Sequence, residues 1–220
     1  MLKKIGLVTG GKETACDLIN IIQSIRNIHI SFVITKFSLD ECINYNINHL
    51  KIVRIDNNKE GDFEYHLGEF IKFPTKEMFF FEYEEKIPDC IKNYYNCYIL
   101  EPAIKEKTGS WEKILCEVLL TKSDHIGCYI KKDGIPIIYH RISIKKFNWK
   151  GFNRKKDITK EDLYFKLQKE VRTSMKLITE LFFDLLSNDS IKILNNKVYI
   201  DNLLCIGGLN ADFWIKEKKR

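Results

Sequence analysis

Ile126-Gly127-Cys128-Tyr129-Ile130-Lys131-Lys132-Asp133-Gly134-Ile135-Pro136-Ile137-Ile138-Tyr139-His140 sets an Asp-Gly pair between two β-rich apolar runs. Asp-Gly tolerates the positive φ angles of a tight two-residue turn, so the stretch predicts a β-hairpin reaching to about Ile144. Upstream, Ile5-Gly6-Leu7-Val8 is a short continuous apolar run, as in a parallel strand buried on both faces. Thr9-Gly10-Gly11 breaks it. Ala15, Leu18, Ile19, Ile22 and Ile25 then recur on one helical face, and Ile30–Thr35 and Leu50–Ile55 read as further strands. This β-α-β opening, with right-handed crossovers, predicts an α/β fold: an open, mostly parallel twisted sheet flanked by helices.

Phe79-Phe80-Phe81 and Cys97–Leu100 predict two more strands, with a short helix near Pro88–Tyr94 between them. Trp111, Ile114, Leu115, Val118 and Leu119 give helical spacing after Gly109. A long helix opens near Thr159, with Glu161 and Asp162 in its first turn, where carboxylates favour the dipole. Leu163, Leu167, Val171, Ile178, Phe182 and Leu185 line one face of it. From Ile191 to Asn210, short apolar runs around Asn195-Asn196 and Gly207-Gly208 predict a small β appendage. We therefore expect an α/β domain over 1–187 and a C-terminal extension, 188–220, packed on it.

With 220 residues, 45% hydrophobic and 30% charged, the composition is that of an ordinary soluble globular protein. No apolar run is long enough to cross a bilayer, and the N-terminal apolar segment is too short for a signal peptide, so a cytoplasmic location and no membrane partner are expected. Seven scattered cysteines without a Cys-x-x-Cys suggest buried free thiols in a reducing compartment. His125 and Cys128 lack further ligands at usable spacing, so no metal is expected. The net charge of +6 is spread among interleaved acids; its densest stretch is Lys145–Lys156, with Phe147, Trp149 and Phe152 between the basic residues. Such a pattern can follow a phosphate backbone while its rings stack on bases, but nucleic acid is the less favoured partner.

Gly10-Gly11 at the start of a helix places backbone N–H groups and a positive dipole end around one spot, suited to a phosphate or carboxylate, with Lys12 near to add charge. The loop is neither Gly-x-Gly-x-x-Gly nor a Walker A motif.

Three local matches, in order, resemble the folate-dependent formyltransferases that include phosphoribosylglycinamide and sugar N-formyltransferases. They are Ile5–Leu18; Ile87-Pro88-Asp89-Cys90-Ile91 through Ile99-Leu100-Glu101-Pro102-Ala103; and Gly127–Ile138 followed by Ile158–Leu167. The resemblance implies transfer of a formyl group from 10-formyltetrahydrofolate to an amine on a phosphorylated sugar or nucleotide. It implies phosphate binding at Gly10, Gly11, Lys12 and Thr14, and a folate pocket near Phe79, Phe80, Phe81 and Gly134. Asp133 falls on the family's catalytic aspartate, Glu101 on its histidine and Ile99 near its asparagine, so two of three catalytic positions differ. A carboxylate facing Asp133 would favour keeping one of the two protonated. Asn96, or His140 or His125 from the hairpin, are the available substitutes. A catalytically degenerate protein that binds a nucleotide or a protein partner is the alternative.

Overall fold

A computed structural model describes residues 2–10, 12–36, 50–55, 68–83, 86–104, 107–109, 111–121, 123–144 and 160–213. Along the chain lie β1 (Lys3–Thr9), α1 (Lys12–Ser24), β2 (Ile28–Thr35), β3 (Ile52–Arg54), β4 (Glu77–Phe81), α2 (Asp89–Tyr94), β5 (Asn96–Ile104) and β6 (Lys107–Thr108). They are followed by α3 (Trp111–Thr121), β7 (His125–Lys132), β8 (Ile135–Ser143), α4 (Lys160–Ser187), β9 (Ile191–Leu194), β10 (Lys197–Ile200), β11 (Leu203–Cys205) and β12 (Leu209–Asn210).

The main sheet runs β12-β8-β7-β5-β4-β1-β2-β3, with β6 on β5. From β3 to β5 every pairing is parallel, whereas β7 pairs antiparallel with both β5 and β8. The two β-rich runs of the opening stretch are therefore the antiparallel wing of a mostly parallel sheet. Asp133 and Gly134 form the turn expected of them, with φ of 50° and 79°.

Each face of the sheet carries its own core. On one face α1 and α4 cover Ile5, Leu7, Phe79, Phe81, Tyr98, Leu100, Cys128 and Ile130. The spacing of Leu167, Val171, Met175, Ile178, Phe182 and Leu185 keeps one side of α4 against this face. On the other face Val8, Phe32, Ile34, Phe80, Tyr83, Ile91 and Cys97 form a second cluster, with Phe32 stacked on Phe70. Helix and strand periods both agree with this two-layer cover.

The tail divides in two. β9, β10 and β11 form a separate antiparallel sheet, turned at Asn195-Asn196 and Asp201-Asn202, all four at positive φ. β12 then returns to the main sheet, parallel to β8, pairing Leu209 with Ile138 and Asn210 with Tyr139. Cys90, Cys97, Cys116, Cys128 and Cys205 are free thiols. Cys16 is disulfide-bonded, against the expectation of free thiols throughout.

Candidate functional site

Ligands of open α/β sheets sit beyond the carboxyl ends of the parallel strands, so the first question is which expected residues reach that edge. Glu101 does. It lies on β5 one residue past Leu100, where pairing with β4 ends, and it is half-buried. Its antiparallel partner is Tyr129, which is paired in turn with Tyr139, and directly opposed residues share a face. One step further along this face stand Ala103, Gly127 and Arg141.

Arg141 Nη2 donates to Tyr129 Oη at 3.2 Å, its guanidinium lies 5.3 Å over the Tyr139 ring, and the two tyrosines stack at 5.5 Å. Lys131 extends the row, 5.6 Å over Tyr129. A cavity of about 590 Å³ opens beside this row, lined by Tyr129, Arg141, Asp124, His125, Asn210 and Asp212 among others. His125 Nδ1 lies 2.6 Å from Asp124 Oδ1. That volume suits a small molecule.

The other expected residues are dispersed. Asp133 and Gly134 are at the far end of the hairpin, at the amino edge of the sheet. Asp133 lies four residues along β7 from Tyr129, about 13 Å from the level of Glu101 at some 3.3 Å per residue. The two carboxylates therefore do not face one another. Asp133 contributes its φ tolerance to a tight turn, and the expected Asp133–Glu101 pair does not form.

Asn96 is at that same amino end. Its Oδ1 accepts from Lys132 Nζ at 2.7 Å and its Nδ2 donates to Glu77 Oε1 at 3.2 Å, so it does not reach Glu101. Burial, and then the Asp133 charge, push the neighbouring Cys97 thiol up to about 12.

His140 does not replace the missing imidazole, because strand alternation puts it on the opposite face from Glu101, opposite Cys128. There its Nδ1 lies 2.6 Å from Ser174 Oγ of α4, and its Nε2 lies 3.1 Å from Asp212 Oδ1. Ser174 is buried and also touches Cys128 Sγ at 3.1 Å, and burial holds the Cys128 thiol at about 12. This is a polar link inside the core, closed to solvent at its serine.

Phe79, Phe80 and Phe81 are all at most 1% exposed. Phe79 packs on Phe182 and Phe183 of α4, and Phe80 packs on Tyr83 across the sheet. Strand alternation turns these rings into the two cores, so they offer no face to a pterin and do not fit as a folate site.

At the glycine loop, Gly10 N donates to Phe81 O at 3.1 Å, and the Thr14 hydroxyl donates to Glu82 Oε1 at 2.7 Å. The hydroxyl expected to meet a phosphate thus meets a carboxylate of the same chain. Gly11, the Lys12 side chain and the basic stretch Lys145–Lys156 lie outside the described residues. Among the described residues no group of three His, Cys, Asp or Glu is arranged to hold a metal ion, and no helix is long and apolar enough to cross a membrane.

Sequence reasoning missed Tyr129, Arg141 and Asp212. Counting outward from the Asp133-Gly134 turn pairs Tyr129 with Ile138. A bulge between Ile130 and Lys131, which leaves Ile137 as the extra residue, moves the pairing to Tyr139.

No protein-family model matches the chain, and no curated protein does. Solved structures do. The phosphoribosylglycinamide formyltransferase of Coxiella burnetii superposes with a TM-score of 0.71 at 18% identity, covering 95% of this chain and 98% of that one. The corresponding enzyme of Anaplasma phagocytophilum gives 0.69 at 11% identity, covering 91% and 95%. A formyltetrahydrofolate deformylase of Pseudomonas syringae gives 0.70 at 14% identity, covering 91% of this chain and 66% of that one. At these identities the shared property is the fold: the chain has the formyltransferase architecture over nearly its whole length.

Proposed function

We propose that the chain is a transferase that places a formyl group on a primary amine of a small molecule, with its reaction centre at the carboxyl edge of β5. The observation that carries this reading is the strand pairing of Glu101 with Tyr129, which together with its partner Arg141 lines the cavity. An amine reaches a protein at neutral pH as an ammonium and must lose a proton before it can attack a carbonyl carbon. The Glu101 carboxylate accepts that proton as a general base. Attack then places negative charge on the former carbonyl oxygen. Arg141 and the arginine-polarised hydroxyl of Tyr129 are the donors on the same face able to stabilise it. When that charge collapses back to a carbonyl, the bond from the formyl carbon to the donor nitrogen breaks, and the proton held by Glu101 goes to that nitrogen as it leaves. Asp124 and Asp212 at the cavity wall favour a cationic amine over a neutral alcohol.

10-Formyltetrahydrofolate is the donor this reading calls for, since the fold's neighbours include proteins named for formyltetrahydrofolate. Because Phe79–Phe81 do not form its site, no residue is assigned to hold it.

The test is turnover: 10-formyltetrahydrofolate with a panel of primary amines, following release of tetrahydrofolate. Formylation of at least one amine, reduced on the order of a hundredfold or more by Glu101→Gln, is expected for a general base. Release that is absent with every amine, or unchanged in the variant, contradicts the reading.

A second reading, a binding protein that has kept the fold without the chemistry, is favoured by Ile99 and Glu101, which as isoleucine and carboxylate supply no oxyanion donor. A ligand that raises the melting temperature without being turned over distinguishes it.

A further inference from the structure

The C-terminal return reaches the cavity through a few close-fitting residues. Gly207 and Gly208 turn at φ of 73° and 90°, and Gly208 lies so near β8 that a Cβ there would meet the Pro136 carbonyl oxygen at 2.9 Å. β12 follows, Ala211 is fully buried, and the Asn210 side-chain oxygen accepts from the Asp212 backbone N–H at 3.0 Å. Asn210 and Asp212 thereby join the cavity wall.

The Asp212 carboxylate is half-exposed, yet it is fixed from the core. Its Oδ1 lies 3.1 Å from His140 Nε2, and His140 Nδ1 lies 2.6 Å from Oγ of the buried Ser174, itself 3.1 Å from Cys128 Sγ. A carboxylate only accepts, so Nε2 carries a proton. Ser174 O–H then donates to Nδ1 and Cys128 S–H donates to Ser174 Oγ, which satisfies every group in the chain. Among the described residues no lysine or arginine pairs with Asp212. Arg141, the cation of the cavity wall, is engaged by Tyr129 and Tyr139 instead. A carboxylate held in one orientation at a cavity wall, without a cation from its own chain, suits a cation brought by a ligand.

That cation is not the reacting amine. Glu101, Tyr129, Tyr139 and Asn210 lie side by side on four neighbouring strands, which puts Glu101 and Asn210 roughly 14 Å apart, with Asp212 further along the chain. One nitrogen does not serve both carboxylates. We propose that Asp212 is a specificity-determining residue, held in place by His140, and that it binds a second, non-reacting cationic group of the acceptor, whose class is therefore a dicationic amine. The reacting end rests on the transferase reading above; the ammonium site at Asp212 does not.

Two probes of equal length, 1,8-diaminooctane and 8-amino-1-octanol, differ only in the second cation. They are titrated into wild type and variants without any formyl donor, with binding read by calorimetry. The diamine is expected to bind wild type on the order of tenfold more tightly, as a charge-assisted hydrogen bond provides. Asp212→Asn and His140→Leu are expected to lose that preference, and His140→Gln, whose amide still donates to Asp212, to keep it. Equal binding of the two probes by wild type, or binding of neither, overturns the proposal, as does a preference that survives in Asp212→Asn. A preference retained in His140→Leu at a lowered melting temperature also overturns it, since a histidine that only pins the tail would behave that way.

Nitrogen-15 spectroscopy of the wild-type His140 ring keeps the proposal testable should the variants fold poorly. Nε2 is expected to be protonated, and an unprotonated Nε2 overturns the proposal. Because no formyl donor is present, a protein that prefers the diamine but formylates no amine would sink the transferase reading and leave this one standing.

Discussion

Phe79→Ala separates a core ring from a ligand-binding ring more sharply than any other single change in the β4 segment. Phe79 is 1% exposed, and its ring centroid lies 5.5 Å from Phe182, 4.9 Å from Phe183 and 6.1 Å from Phe81. Truncating a fully buried phenylalanine costs about 3–5 kcal/mol, because the transfer energy is lost and the cavity collapses only in part. For a chain of this size each kcal/mol moves the melting temperature by about 2–4 °C, so a drop of roughly 6–20 °C is expected. Phe79→Leu keeps most of the volume and loses mainly the three ring contacts, at about 0.5–1.5 kcal/mol each. It should fall between wild type and Phe79→Ala. The assay is urea unfolding at equilibrium, beside a folate titration of each folded variant. A loss of stability under about 1 kcal/mol in Phe79→Ala, together with weakened folate binding, would refute the assignment of this ring to the core.

Gly127→Ala should destabilise strongly and splay β7 from β8, since the added Cβ would meet the His140 carbonyl oxygen at 2.0 Å; a melting curve close to wild type would contradict that packing. Asp133→Asn should leave stability within about 0.5 kcal/mol, because asparagine accepts the same positive φ in a two-residue turn; equilibrium unfolding checks it. Burial raises the Cys97 and Cys128 thiols from 9.0 to about 12. Below pH 9 both states hold these protons, and between pH 9 and 12 only the unfolded chain releases them, so stability should fall with rising pH across that window. Cys97→Ser and Cys128→Ser would flatten this alkaline slope, and a slope unchanged by both variants would count against the burial effect. The Lys3 ammonium holds the exposed Asp189 carboxyl below its ordinary 3.8. Its contribution is present above pH 3.8 and is lost as pH falls through the lower folded value, so Lys3→Ala should lower stability at and above pH 3.8 and leave it unchanged at more acid pH, where the carboxyl is protonated in both states.

The local elements were legible because local chemistry dictates them. Ile5–Val8 is apolar on both faces because β1 is central, and Asp133-Gly134 turns because both residues accept positive φ. The long apolar stripe of α4 was equally plain. What stayed hidden depends on long-range register. The hairpin turn was read as the place of the catalytic aspartate, but the antiparallel pairing of β7 with β5 carries it to the amino edge of the sheet, away from Glu101. Three consecutive phenylalanines read as one aromatic patch, yet a strand sends Phe80 to one core and Phe79 and Phe81 to the other. Glu101 was visible as a departure from a resembling family. Its neighbours Tyr129 and Arg141 became visible only through a bulge that no local pattern announces.

The location of the reaction centre is tested most directly by measuring formyl transfer from 10-formyltetrahydrofolate to primary amines with wild type, Glu101→Gln and Asp133→Asn in parallel. Placing the chemistry at the carboxyl edge of β5 predicts that Glu101→Gln loses turnover on the order of a hundredfold at an unchanged melting temperature, while Asp133→Asn retains wild-type rates. Loss of turnover in Asp133→Asn with Glu101→Gln still active would contradict it and return the centre to the hairpin turn.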